Sequence, residues 1–171
     1  SNTALALNPK VDYQIVEFEE NETVERLVIA APLVEKFSKE PKILATISGR
    51  DLERETYQRP LDLIEIPDSH YILLADYVTV EDGTGIVHQA PAFGADDYQT
   101  CKRYGLPTVN PVKPDGHFED GLPLIGGAFF KDADKPLVKE LKNRKLLFKQ
   151  VQYEHSYPHC WRCHTVLIYY A

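Results

Sequence analysis

The residues of this 171-residue chain best suited to chemistry fall in two short runs. The first is Gly83-Thr84-Gly85-Ile86-Val87-His88-Gln89-Ala90-Pro91-Ala92-Phe93-Gly94-Ala95-Asp96-Asp97-Tyr98. A glycine-bearing turn feeds a short strand, then a loop bent at Pro91 and Gly94, then a helix start. Glycines let a ligand come close to backbone. Asp96 and Asp97 suit a helix first turn, where a carboxylate accepts orphan N–H groups at the positive end of the dipole. One aspartate is enough for capping, which leaves the other free to hold a cation or an ammonium group. His88, taken alone on a strand, reads as a packed, hydrogen-bonded histidine. The run lacks both the Gly-Lys-Ser/Thr ending of a phosphate loop and the G-x-G-x-x-G spacing of a dinucleotide site.

The second run is His155-Ser156-Tyr157-Pro158-His159-Cys160-Trp161-Arg162-Cys163-His164. The C-x-x-C spacing of Cys160 and Cys163 can put two thiolates on one tetrahedral ion. Three readings compete. Cys160–His164 matches a c-type haem attachment, which requires export; a thioredoxin-like pair requires a helix after Cys160; a split zinc site requires two more ligands outside this chain. The half-site is favoured, because His159 and His164 lie too close beside the cysteines to share their ion. Cys101 reads as a small buried hydrophobe. Three cysteines, an odd number, argue against a disulfide scaffold and for a reducing compartment. The absence of methionine points to a chain cut from something longer or processed.

Elements must hold these runs in place. The length suits one domain with one core, and 43% hydrophobic with 26% charged residues is a globular balance. Alternation and Val/Ile/Tyr content mark strands at Thr3–Leu7, Tyr13–Phe18, Arg26–Ala30, Lys42–Ser48, Leu61–Ile66, Tyr71–Val80, Gly85–Gln89, Thr108–Val112 and Phe148–Tyr153. Glu81–Gly85 reads as a hairpin loop and Pro114-Asp115-Gly116 as a turn. Helices are expected from Asp96 to Tyr104, closed by Gly105, and from Asp134 to Lys145, with a weaker one over Leu33–Ser38. Leu137, Val138, Leu141 and Leu146 would form the apolar stripe of the second helix. Many strands, few helices and no strict βαβ alternation predict an α+β, β-rich fold. Its core would be a closed or nearly closed β-barrel with helices packed outside.

The net charge of −7 does not fit a protein that tracks along duplex nucleic acid. Lys131–Lys149 runs against that balance, with seven bases and three acids. By itself it reads as a solvated helix face. No apolar stretch reaches the ~20 residues that span a bilayer, and no secretion signal opens the chain.

Taken together, the two runs resemble the editing region of isoleucyl-tRNA synthetases, the connective peptide 1 insertion within the catalytic domain of that class I enzyme. GTGIVHQAPAFGADDY is similar to the editing-site signature, and HSYPHCWRCHTVLIYYA to the stretch by which the insertion returns to the catalytic core. Ser1-Asn2 resembles the end of the threonine-rich segment that opens the editing site. The valine and leucine families share the glycine turn and the aspartate, but place another residue at His88 and lack the HCWRC pattern.

The resemblance implies an editing domain over 1–153 and a return segment over 154–171 that carries half a zinc knuckle. It implies a cytoplasmic, monomeric ester hydrolase that clears valine from valyl-tRNA(Ile), with valyl-adenylate as a further substrate. The physical need is clear: one methylene in an apolar pocket is worth only ~1–3 kcal/mol, isoleucine against valine being the well-known instance. By the same resemblance Asp97 binds the substrate ammonium, while His88 and Asn2 position the ester or the attacking water. Gly83, Thr84 and Gly85 lie close to the substrate or terminal adenosine. Water attacks directly, oriented in part by the terminal ribose hydroxyl, and His88 as general base is the variant. Partners are the tRNA(Ile) 3′ end and the remainder of the parent synthetase. Editing needs no cofactor; zinc binds only with ligands from outside the chain. Two alternatives stand beside this: a non-catalytic RNA-binding or zinc-stabilised module, and the editing domain of a valyl- or leucyl-tRNA synthetase.

Overall fold

The computed structural model describes residues 2–20, 23–151 and 158–171. Six strands build it: β1 (Ala4–Leu7), β2 (Asp12–Glu20), β3 (Thr23–Ala30), β4 (Lys42–Ser48), β5 (Ile72–Leu74) and β6 (Ile86–Gln89). Two α-helices follow, α1 (Ala95–Arg103) and α2 (Asp134–Asn143), and short 3₁₀ turns cover Ala31–Lys36 and Gly49–Leu52. The weak helix expected near Leu33 is the first of these turns. Pro32 starts it, and Leu33 and Val34 are buried.

The strands form two three-stranded sheets. In one, β2 lies between β3 and β4, antiparallel to both, with Tyr13 opposite Ala30 and Ile47. In the other, the apolar β1 (ALAL) lies between β5, which runs parallel to it, and β6, which runs antiparallel. Among the described residues the strands form two open sheets, and the expected closed or nearly closed barrel is not found. Several of the strands expected for it form no ladder there. Leu61–Ile66, boxed in by Pro60 and Pro67, forms no ladder, and its apolar side chains instead wall a cleft. Thr108–Val112, interrupted by Pro111, keeps a single bridge between Val112 and Phe118. Residues 148–151 form no strand, and Gln152 and Tyr153 lie outside the described residues. Glu81–Gly85 ends the connection from β5 to β6, yet these strands do not pair, because β1 lies between them. The Pro114 turn is present, closed by the Gly116 N–H donating to Lys113 O at 2.9 Å.

The main core sits where the sheets meet. Leu7 of β1 packs with Tyr13, Val16, Ile29, Ala30, Leu33 and Val34, and Ile72 and Ile86 close over them. The side-chain alternation of β2 delivers Tyr13 to this core. The buried Tyr13 hydroxyl accepts the Asn8 N–H at 2.9 Å and donates to Gly85 O at 2.8 Å. Next to it, the Ala30 N–H donates to Thr84 O at 2.8 Å. The glycine loop is thus clamped to the second sheet just before β6 begins.

α1 starts after Gly94, and the Tyr98 N–H gives its first-turn bond to Gly94 O at 2.8 Å. It ends in a Schellman motif: Gly105, at φ +74°, donates to Lys102 O at 3.1 Å, and Leu106 donates to Cys101 O at 3.0 Å. α2 buries no residue fully; Leu137, Val138 and Leu141 are half-buried, whereas Leu146 is 55% exposed and leaves the expected stripe.

Gly85 sets a sharp test of the clamp. At φ +74°, a Cβ there would sit 2.5 Å from the Ala30 Cβ. Gly85→Ala should therefore lose about 2–4 kcal/mol from the left-handed backbone and the overpacked core together. Gly83→Ala, at φ +64° with open space around it, should lose only about 1 kcal/mol. Urea unfolding of both variants checks the difference; equal losses would show that Gly85 has no close packing partner.

Candidate functional site

β6 carries His88 beside the central strand. His88 lies opposite Leu5 and Gln89 opposite Ala4, and the Thr3 N–H extends the ladder to Gln89 O at 2.9 Å. One residue further out is Asn2. Asn2 lies three residues outward from Leu5, the partner of His88, and Asn2 and His88 both line one cleft of about 390 Å³. Leu61, Ile64, Phe118 and Ile125 give that cleft an apolar wall, and Leu137 and Leu141 of α2 form part of its lining. Concave, mostly apolar clefts with a few converging polar groups are what small-molecule sites look like.

Asn2 does not hang free. Tyr57 donates its hydroxyl to Asn2 Oδ1. With its oxygen occupied, the amide has its NH₂ group left to donate. Tyr57 also meets the ring of His70 edge-on, at 6.1 Å between centroids.

His88 is exposed and lines the cleft, with the surrounding protein partly desolvating its ring. This desolvation lowers its pKa below the ordinary 6.5, and the nearby Asp97 charge opposes the shift. At neutral pH the imidazole is therefore uncharged and able to accept a proton. Its neighbour Gln89 is fully buried and anchors the strand by accepting the Tyr77 hydroxyl at 2.6 Å.

Asp97 lies in the first turn of α1, where its Oδ2 accepts the Ala90 N–H at 2.8 Å. This side chain folds back over Gly94, where a Cβ would come within 3.1 Å of the carboxylate carbon. Asp97 thus fastens the loop after β6 to the helix start, and among the described residues its Oδ1 carries no hydrogen bond. Asp96 is exposed, and the N-cap position belongs to Gly94 with no side-chain cap. Asp97 does not line the cleft, although its field reaches His88. Gly83, Thr84 and Gly85 do not line it either: their loop is held on the far side by Ala30 and Tyr13.

Two residues of the site, Tyr57, bonded to Asn2, and Arg59, in the cleft lining, have no signal in the sequence. Tyr57 and Arg59 sit in an irregular segment with no periodicity, and only the fold brings them to Asn2.

Cys160 and Cys163 occupy a tight knuckle. The Cys160 N–H donates to Thr165 O at 2.8 Å, the His164 N–H donates to Cys160 O at 2.9 Å, and His159 bridges to Val166. Cys163 is exposed and hydrogen-bonded to Thr165 Oγ1 at 3.2 Å. Hydrogen bonds from Thr165 and Cys160 lower its thiol to about 7. Among the described residues no three His, Cys, Asp or Glu side chains gather closely enough to hold a metal. His155, Ser156, Tyr157 and the 153/154 domain boundary lie outside the described residues. Cys101 is buried, and burial pushes its thiol up to about 12, as suits a packed hydrophobe.

Known proteins give this arrangement a context. No family model matches the chain. A solved structure described as "The crystal structure of GlLeuRS-CP1" superposes with a TM-score of 0.66 at 16% identity, covering 91% of this chain and 79% of its own. The fold is therefore of the connective peptide 1 type, a small β-rich α+β domain. In sequence, the chain is 57% identical over 174 residues to "Isoleucine--tRNA ligase" of Thermobifida fusca and 56% identical to that of Streptomyces avermitilis. It is 42% identical to that of Picrophilus torridus. The chain belongs to the isoleucine–tRNA ligase family. It aligns over its whole length with the first two, yet spans only 16% of theirs. Among the described residues no helix is long and apolar enough to cross a membrane.

The histidine shift has a measurable sign. Because burial holds His88 below 6.5, the unfolded chain takes up the proton first as pH falls. Stability is then unaffected above that value and drops progressively below it. Burial, with the Arg59 charge adding to it, shifts His70 the same way. His88→Gln should therefore narrow the difference between urea midpoints measured at about pH 7.5 and about pH 5.5. An unchanged difference would mean that His88 is not desolvated by the cleft.

Proposed function

We propose that this chain is the editing domain of an isoleucyl-tRNA synthetase, which hydrolyses the ester of valine misattached to tRNA(Ile). Convergence of Asn2 and neutral His88 in one cleft, in a chain of this family, carries the reading. The apolar wall would receive the aliphatic side chain. The Asn2 NH₂ group, held outward by Tyr57, would donate to the ester carbonyl as negative charge develops on it. His88 would orient the attacking water and accept its proton, with the terminal ribose hydroxyl as the second orienting group. Asp97 Oδ1 would receive the ammonium at the His88 end of the cleft, a charge-assisted bond at a helix N-terminus. Since the glycine loop is clamped away from the cleft, Gly83, Thr84 and Gly85 would act by placing β6, and only their outer edge would meet the terminal adenosine.

Cys160 and Cys163 fit half of a tetrahedral zinc site: one thiol is exposed, the other half-buried, and both lie on one knuckle. The remainder of the parent synthetase would supply the other two ligands. Zinc would stiffen the junction there, outside the hydrolytic cleft.

Two measurements test this. Incubated with valyl-tRNA(Ile), the protein should release valine, and Asp97→Ala should slow that release at least about 100-fold. Unchanged deacylation in the variant removes Asp97 from the ammonium site, and no release by the wild type ends the hydrolase reading. Metal analysis of the isolated chain should find well under one tightly held zinc per molecule. A full equivalent would favour a self-contained zinc-stabilised module instead.

A further inference from the structure

We infer that Arg59 is the phosphate-recognition residue of this cleft. Its guanidinium takes the 5′-phosphate of the terminal nucleotide whose aminoacyl ester lies against Asn2 and His88. The inference rests on the editing reading above and adds to it a specificity-determining residue.

Arg59 lines the same cleft as Asn2 and His88, half-buried beside the apolar Leu61, Leu63 and Ile64. Removing an arginine from water without a counter-charge is costly. Yet among the described residues Arg59 makes no ion pair. The nearby carboxylates are already committed. Asp62, three residues on, accepts Arg144 Nη1 at 2.9 Å, and Glu140 accepts Arg144 Nε at 2.8 Å. Arg144 also donates to Pro60 O at 3.3 Å, which ties the backbone beside Arg59 to the end of α2. The guanidinium is therefore held at the cleft on a fixed strap; its charge reaches the Asp62 carboxylate, yet among the described residues it makes no hydrogen bond or ion pair of its own. Its charge is felt there: it helps to hold the His70 pKa down and opposes the rise that burial causes at Tyr57.

The chemistry of the substrate supplies the missing anion. In an aminoacyl ester the amino acid's carboxyl group is consumed, so the acyl group offers only its ammonium. The nucleotide phosphate is the anionic group that remains within one nucleoside of the reacting bond. A planar guanidinium fork matches phosphate oxygens in a bidentate way. On a chain of net charge −7, an unpaired cation also marks where a polyanionic 3′ end can approach without repulsion.

The test compares two nonhydrolysable ligands, the amide-linked 3′-valylamino analogue of adenosine with and without a 5′-phosphate, by calorimetry on the 171-residue chain. The phosphate should tighten binding about tenfold in the wild type, a gain typical of one charge-assisted pair. Arg59→Gln should abolish this gain and leave the unphosphorylated ligand within about twofold of wild type. Arg59→Lys, a point charge without the fork, should keep only part of it. Equal wild-type affinity for the two ligands, or a gain that survives in Arg59→Gln, overturns the assignment while leaving the editing reading intact. If neither ligand binds the wild type, the editing reading fails and this inference with it.

Discussion

One phenol holds the two halves of this domain in register. The Tyr13 hydroxyl is buried between the sheets, accepts from the turn after β1 and donates to the glycine loop before β6. Burial raises its pKa, so it stays protonated and remains a donor. Each such bond contributes on the order of 1 kcal/mol net, but leaving Asn8 N–H and Gly85 O buried and unpaired would cost about 1–3 kcal/mol apiece. Because β6 starts one residue after Gly85, the position of His88 relative to Asn2 is inherited from this contact.

The cleft is where the β1–β6 ladder runs out. Backbone pairing fixes Thr3 and Gln89, and the next residue outward is free to serve a ligand. Order is still imposed on it from the side, through Tyr57 on Asn2 and through Asp97 on the loop after β6. The same region carries unsatisfied polarity: Thr3 Oγ1 and His70 Nε2 are buried without a hydrogen-bond partner among the described residues. His70 donates its backbone N–H to Thr3 O at 2.9 Å, so the two orphans lie on hydrogen-bonded segments next to Asn2 in the chain. Polar atoms of this kind tend to gather where a protein gives up stability for function.

How much of this the sequence shows depends on the range of the forces involved. β2, β3 and β4 are readable from their Val and Ile content and alternation with polar residues, although only β2 and the end of β3 reach the core. α1 and α2 are readable from local signals, Gly105 at the end of one and Pro136 in the first turn of the other. Leu61–Ile66 misleads for a physical reason: apolar residues mark burial, and these are gathered around a cleft instead of into a ladder. Tyr71–Val80 is cut to three residues because the chain turns at Ala75, where the Val78 N–H donates back. For the site, residues near one another in sequence, His88 and Asp97, stand out. Tyr57 and Arg59 do not, since Tyr57 acts through Asn2, 55 residues away, and Arg59 through a cleft assembled from several separate segments.

The central place of β1 also has a consequence for the order of assembly. Ala4–Leu7 is the first strand in the chain, yet its two partners are β5 and β6, and β6 does not end until Gln89. The second sheet, by contrast, is made of consecutive strands and needs only residues up to Ser48. During synthesis that sheet can zip up locally while β1 waits, apolar and unpaired on both edges, for some eighty residues to follow. Such delayed pairing is slow and leaves an edge open to wrong partners. The strand that positions the cleft is also the segment most exposed to misassembly while the chain is being made.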